Sequence, residues 1–305
     1  MAQKIYLRAG LILLLSWIAV YALAQEKNLA ELPRKGSYLY YPQPAFEDNS
    51  FLIEEAFNQQ MGILQHIFTF SWDRINTNNL TYSFTQEIPL TDLNHQLSYT
   101  FAYTQAKNSA GKTMAGFGDT YVSYRPLVWG EKDWAMVIPR FTLILPTGSA
   151  IEGLGGGAMG GQFNLAVTKR LSRNIVTHYN GGFTYFYRAD HYRESNAQKV
   201  LSSEQNLFHK NLGASVIWYP TRRLNLMLEY VSNFISNIED GDFISHAHQK
   251  IINPGIRYCF DNGRMQIVPG IGAPLHFDND GVDVGIFLYL SFEPDYLPFY
   301  KTKMQ

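Results

Sequence analysis

Leu97-Ser98-Tyr99-Thr100-Phe101-Ala102-Tyr103-Thr104 alternates apolar and polar residues without a break. Successive side chains of a β-strand point to opposite faces, so a strict period of two predicts a strand with one greasy and one wet face. Leu224, Leu226, Leu228 and Tyr230 repeat the pattern against Asn225, Met227 and Glu229. Phe163, Leu165 and Val167 do so against Asn164, Ala166 and Thr168, and Ile252, Pro254, Ile256 and Tyr258 against Asn253, Gly255 and Arg257.

Twelve such segments run along the chain, near 62–73, 80–88, 95–105, 116–127, 134–145, 160–170, 174–187, 207–219, 222–234, 247–260, 263–272 and 282–292. Most are nine to fourteen residues long. Strands of soluble proteins average about five or six residues. A tilted strand needs about nine to eleven to cross a bilayer. The connections sort by length as well. Pro89–Asn94, Val128–Asp133, Leu171–Arg173, Pro220–Thr221 and Asp261–Asn262 are tight, whereas Gln105–Ala115, Pro146–Met159, Arg188–Asn206 and Ile235–His246 are longer and polar or Gly-rich. Short turns at one end and long loops at the other mark an outer-membrane barrel. The expected fold is therefore all-β: an antiparallel up-and-down transmembrane β-barrel of about twelve strands over residues 61–292, with a short N-terminal periplasmic segment at 25–60 and a tail at 293–305. Aromatics near strand ends (Trp72, Trp129, Trp134, Tyr187, Trp218, Tyr219, Phe292) suit interfacial girdles.

The composition agrees. Of 305 residues, 46% are hydrophobic, 15% aromatic and only 17% charged. A disordered chain lacks so many apolar groups. A single cysteine, Cys259, rules out a disulfide scaffold. A net charge of -1 argues against a nucleic-acid partner. Residues 1–24 read as a secretory signal peptide: Lys4 and Arg8, then the apolar run Leu11–Val20, then Ala22-Leu23-Ala24 as a small-x-small cleavage site. The expected location is the outer membrane, the expected partners its lipids, small solutes and the barrel-assembly machinery. The sequence sets no oligomeric state. Residues 25–60 carry Pro33, Pro42 and Pro44, which oppose regular structure over most of the segment. Phe51–Asn58 could form one or two helical turns capped by Ser50, with Glu54 and Glu55 early in the helix. It could cover the periplasmic mouth, enter the lumen as a plug, or stay a plain tail.

Charges inside strands are the informative ones. Parity puts Asp119, Arg125, Arg140, Glu229, Arg257 and Asp283 on the polar face. An Arg facing lipid at mid-depth costs about 2–4 kcal/mol, so all six are expected to face the lumen. Arg140 and Arg257 near mid-strand, with Asp119 and Glu229, could line a constriction that selects solutes by charge; an internal salt-bridge network filling a narrow barrel uses the same residues. Residues 153–161, Gly-Leu-Gly-Gly-Gly-Ala-Met-Gly-Gly, have no Gly-Lys-Ser/Thr after them and read as a flexible extracellular loop rather than a phosphate cradle. His246 and His248 share parity but supply two ligands where a metal needs three or four; His191 and His276 are the candidates to complete the set. Asp278-Asn279-Asp280-Gly281 with Asp283 lacks the closing Glu of a calcium loop. No cofactor is implied. For lipid hydrolysis, the chain is similar in size to outer-membrane phospholipase A. Its nearest match to that enzyme's His-x-Ser-Asn-Gly-Arg motif, His178-Tyr179-Asn180-Gly181-Gly182, lacks the serine, and no Gly-x-Ser-x-Gly elbow is present.

Several motifs in order carry a family resemblance. Gly116-Phe117-Gly118-Asp119 opens a strand ending in Tyr124-Arg125, and Leu145-Pro146-Thr147-Gly148 closes the next. Gln162-Phe163-Asn164-Leu165, Thr168-Lys169-Arg170-Leu171-Ser172 and Gly181-Gly182-Phe183-Thr184-Tyr185 follow, with Asn49–Gln59 and Gln65-His66-Ile67 upstream. Over most of residues 49–292 the chain resembles the outer-membrane family labelled "meta-pathway of phenol degradation", often called simply "transporter". The resemblance implies a barrel that passes small, often hydrophobic or aromatic compounds. It implies no catalytic residues. The thirteen residues after Phe292 depart from barrels that end on an aromatic. The functional expectation is a channel for passive passage of small solutes. A lipid-modifying enzyme and a closed structural or surface-binding barrel are the alternatives.

Overall fold

The computed structural model describes residues 50–59, 63–73, 79–90, 94–107, 112–128, 134–195, 198–239, 243–261, 265–277 and 281–294. The expected signal peptide, Trp129, most of the 278–281 turn and most of the C-terminal tail lie outside the described residues.

Twelve antiparallel staves form one closed sheet. They are β1 (Gln65–Asp73), β2 (Asn79–Pro89), β3 (His95–Lys107), β4 (Thr113–Phe117 and Thr120–Pro126), β5 (Met136–Leu145), β6 (Gly160–Ser172), β7 (Ile175–Ser195), β8 (Gln198–Thr221), β9 (Leu224–Ile238), β10 (Ile244–Tyr258, continued by Phe260–Asp261), β11 (Met265–Gly272 and Leu275–Phe277) and β12 (Val282–Val284 and Ile286–Pro294). Each pairs with its neighbours in sequence, an up-and-down meander. Closure comes from β12. It pairs with β11 from Met265↔Pro294 to Gly272↔Phe287 and with β1 from His66↔Phe292 to Trp72↔Ile286. No sheet edge remains along that seam, so its backbone groups are satisfied inside the wall.

The alternation becomes two surfaces. Phe68, Tyr82, Phe101, Phe141, Leu165, Phe183, Val216, Leu228 and Ile256 stand exposed on the outside. Gln65, Gln96, Ser98, Asn164, Asn180, Ser215, Asn225 and Asn253 are buried on the inside. Outside rings form a belt through cross-strand pairs, as in Phe141–Phe163–Phe183–Phe208, with centroids 5.4–5.8 Å apart. Tyr187 is exposed within β7 rather than at its end, whereas Trp134 and Trp218 are exposed near stave ends, as expected of girdle residues. Tyr219 is not one of them. Adjacent strand residues point oppositely, so with Trp218 outside it turns inward and packs on Val176, Ile217 and Met227.

Three expected features differ. Two of the long loops are mostly strand: β7 and β8 continue as a two-stranded ribbon to Ser195↔Gln198, and β9 and β10 pair to Ile238↔Ile244. Beyond the apolar belt both faces of a ribbon meet water, so the period-two signal fades although the ladder continues. Residues 153–161 are not a loose loop but are packed against β4 and β7. The last stave extends past Phe292 to Pro294.

Closure gives a direct test. Phe68 and Leu290 face each other outside across the β1–β12 seam. In a Phe68→Cys/Leu290→Cys variant, mild oxidation should cross-link the two ends of the chain and shift its non-reducing gel migration. A sheet left open would give no such species.

Candidate functional site

Residues 50–59 cross the lumen. Ser50 Oγ meets Ser215 Oγ of β8 at 2.7 Å. The amides of Leu52 and Ile53 both donate to Glu229 Oε1 of β9, at 2.7 and 3.2 Å. Glu54 and Asn180 of β7 exchange two bonds: Glu54 N–H to Oδ1 at 2.8 Å, and Nδ2 to the Glu54 carbonyl at 2.9 Å. Ala56 N–H donates to Thr168 Oγ1 of β6 at 2.7 Å, and Gln59 N–H to Gln96 Oε1 of β3 at 2.7 Å. The segment thus runs from β8 and β9 across to β3. It is not helical. The N–H groups of Leu52, Ile53, Glu54, Ala56 and Gln59 are taken by wall side chains, which withdraws them from i to i−4 turns.

Apolar side chains and charges hold the same segment. Phe51 packs against Phe287 and Tyr289, with centroids 5.2 and 5.6 Å away, and Phe57 against the cluster of Ala56, Met136, Ile138 and Ala166. The wall makes room with glycine. A Cβ on Gly255 or Gly270 would lie 2.5 or 2.8 Å from the Phe51 ring, and one on Gly213 would strike Ile53. Arg140 pairs with Glu54 and also donates to Gln162 Oε1 at 3.0 Å. Arg125 donates to the Glu55 carbonyl and lies 3.6 and 3.8 Å from the Glu55 and Glu87 carboxylates. The Arg257 guanidinium lies over Phe51 and Tyr289, 5.8 and 5.6 Å from their centroids.

Four of the six residues singled out by parity therefore meet at the crossing, and the other two stand apart from it and from each other. Arg125, Arg140, Arg257 and Glu229 surround the crossing segment. Arg257 sits one residue from the short-turn end of its main stave segment, not mid-strand. Asp119 lies nearer the other end, at the kink between the two parts of β4. Its carboxylate accepts from Gly148 N–H at 3.0 Å and Gly156 N–H at 2.8 Å. A side chain on Gly155 would occupy its oxygen, and Gly153 and Gly157 take the left-handed backbone at φ 73 and 64. Asp190 N–H of β7 donates to Gly156 O at 3.1 Å. The glycine stretch is thus a strap tying β4 to β7, built around one buried carboxylate. Asp283 faces inward opposite His276, whose Nε2 lies 3.0 Å from Asp73 Oδ1.

The four histidines do not assemble. His246 and His248 face outward, paired with Ser236 and Phe234, whereas His276 faces inward. His191 lies on the β7–β8 ribbon. No group of three metal-ligating side chains occurs among the described residues. Two serines do touch histidines outside: Ser232 Oγ is 2.8 Å from His248 Nε2 and Ser236 Oγ 3.2 Å from His246 Nδ1. Among the described residues no carboxylate bonds to either ring, so a hydrolytic triad is incomplete. Sequence reasoning missed Glu54, Glu55, Asn180, Thr168 and Gln96 as partners in the crossing. The available signal was the inward parity of Gly213, Gly255 and Gly270.

No known protein family's profile matches the chain, and no curated protein matches it in sequence. Solved structures do match. The COG4313 outer membrane channel from Pseudomonas putida F1 superposes with a TM-score of 0.57 at 11% identity, over 78% of this chain and 97% of that one. The translocator domain of autotransporter NalP from Neisseria meningitidis gives 0.45 at 10% identity, over 77% and 89%. The NanC porin gives 0.45 at 7% identity, over 76% and 98%. At such identities the likeness to the COG4313 channel shows the fold.

Two substitutions probe the crossing and the glycine strap. Glu229→Leu strands the amides of Leu52 and Ile53. At about 0.5–1.5 kcal/mol for each lost bond, cleavage within 50–59 by added protease should accelerate roughly tenfold, with the barrel still folded. Asp119→Ala should raise hydrogen exchange at the Gly148 and Gly156 amides and leave the β1–β12 ladder protected.

Proposed function

We propose that the chain is an outer-membrane channel for passive passage of small solutes, held shut by its own residues 50–59. The observation that carries this reading is a closed barrel, apolar outside and polar inside, whose lumen is crossed by a segment held through separable hydrogen bonds and ion pairs. Glu55 and Glu54 of this segment pair with Arg125 and Arg140 of the wall, an arrangement that a purely structural barrel does not need. Residues 1–24 serve as the signal peptide, and the barrel-assembly machinery inserts the mature chain.

Arg140, Arg257, Asp119 and Glu229, with Arg125 and Asp283, line the path once the segment moves. Removing it exposes Arg125, Arg140 and Arg257 to a wet lumen and takes away Glu54 and Glu55, leaving Glu87 and Glu229 as the wall carboxylates beside the three guanidinium groups. The aromatic wall at Phe287 and Tyr289, together with the resemblance to the phenol meta-pathway family, supports small hydrophobic or aromatic solutes as cargo. A second reading, a permanently closed barrel acting through its long ribbons, is favoured by how completely the segment is anchored. Lipid hydrolysis is disfavoured by the incomplete Ser–His pairs.

Planar-bilayer recordings separate these readings. The mature chain should be nearly silent, and a variant lacking residues 50–59 should conduct steadily. In that open background, Arg140→Ala with Arg257→Ala should shift ion selectivity toward cations. Silence from both chains, with heat-modifiable migration showing a folded barrel, would establish the closed reading instead. A second check concerns the outer face: Leu228→Arg should cost about 2–4 kcal/mol in equilibrium unfolding from vesicles.

A further inference from the structure

The outward wall breaks its own rule at one patch. Below it, the outside of β8, β9 and β10 carries Leu212, Ala214 and Val216, Leu228 and Tyr230, and Ile252, Pro254 and Ile256. Then charge appears. Lys210, Phe234 and His248 form one cross-strand row, and Leu212, Ser232 and Lys250 the next. His246 follows on β10, and Lys210, His246, His248 and Lys250 are all exposed. No Asp or Glu occupies an outward position of these staves from Phe208 to Leu212, Leu228 to Ser236, or His246 to Ile252. On these stretches of β8, β9 and β10 the positive groups therefore have no acidic neighbour among the described residues.

Depth gives the patch its meaning. Lys250 lies eight residues from Tyr258, where the main segment of β10 ends, and Lys210 eleven from Thr221 at the short-turn end of β8. At about 3.3 Å per residue and a tilt near 40°, that is roughly 20–28 Å up the wall, at the far border of an apolar band about 25 Å tall. Aliphatic stems can lie on the apolar surface there while the ammonium groups reach the headgroup layer. The patch is also organised. Phe234 stacks on His248 at 4.3 Å and 9°, and Ser232, the smallest side chain in its row, bonds the same imidazole. Lys210 lies over the Phe208 ring at 5.7 Å. The two lysines stand on either side of β9 in adjacent rows, Lys210 opposite Phe234 and Lys250 opposite Ser232; their backbones are about 12 Å apart, a span that two long side chains and one phosphorylated headgroup can bridge. By contrast, Lys169 on β6 lies over Trp134 near the short-turn end, alone.

We propose that Lys210, His248 and Lys250 form a binding site for the phosphate-bearing headgroup of an anionic lipid in the leaflet beneath the long ribbons. This rests on the membrane-barrel reading. The partner is chosen by chemistry: paired cations beside aromatic rings, facing a layer whose anions are phosphates.

The test uses the full mature chain refolded in detergent. Flotation with neutral phosphatidylcholine vesicles first checks insertion. A chain that does not float overturns both the barrel reading and this proposal. Native mass spectrometry then titrates diphosphorylated lipid A, its dephosphorylated form and inorganic phosphate. The expected result is retention of the phosphorylated lipid, at least tenfold weaker binding of the dephosphorylated one, and no displacement by millimolar phosphate. Lys210→Gln/Lys250→Gln should lose on the order of tenfold or more in affinity with unchanged heat-modifiable migration, and Lys210→Arg/Lys250→Arg should retain it. Equal binding of both lipids, an unaffected Gln variant, or equal binding of free phosphate would overturn the lipid site while leaving the channel reading standing.

Discussion

The pairing of β12 with both β1 and β11 is the constraint on which the rest depends. An open twelve-stranded sheet would have two edges and no inside. Once the ladder closes, each residue's parity assigns it to one of two solvents. Leu288 and Leu290 then face out, and Phe287, Tyr289 and Ser291 face in. A slip of one residue at this seam would exchange the two sets, placing Glu293 outside and Phe292 inside. The apolar outer row is therefore what specifies the register.

An enclosed polar lumen creates a second problem. Gln96, Asn180, Thr168 and Glu229 point into a confined space and need partners. The crossing segment supplies them through its backbone, and the wall in turn satisfies amides that a helix would have satisfied internally. Each side answers the other's hydrogen-bonding demand, which is why an irregular peptide can be buried at all. The same exchange makes the closure reversible in principle, because water can replace every one of those bonds. Apolar contacts set the registration: Phe51 fits only where Gly255 and Gly270 leave the wall bare.

The two ends of the barrel are stiffened differently. Near the short turns, Ile67, Cys259, Val268, Phe287 and Tyr289 form an apolar floor on which Phe51 and Leu52 rest. At the other end the wall between β4 and β7 is low, because β5 ends at Leu145 and β6 begins at Gly160. The glycine strap spans that low wall and is secured by the Asp119 carboxylate. Glycine is required there because backbone, not side chain, must approach the buried anion.

The sequence by itself determined the architecture. A period of two carried through segments of nine to fourteen residues, with short turns alternating with long ones, leaves a membrane-spanning barrel as its economical solution. Inward parity likewise placed Asp119, Arg125, Arg140, Glu229, Arg257 and Asp283 on the polar face. Those signals are local, so they survive in a one-dimensional reading. What faces what inside the barrel is not local. Glu54 meets Arg140, Glu55 meets Arg125, and Phe51 meets Tyr289 across separations of about seventy residues or more. Such pairs exist only after closure fixes the positions of all twelve staves. The segment at 50–59 looked like a short helix because its own residues favour one; the wall's side chains outbid that preference. The loop at 153–161 looked slack because glycine is permissive, yet only the folded position of Asp119 shows that the permissiveness serves a tight approach.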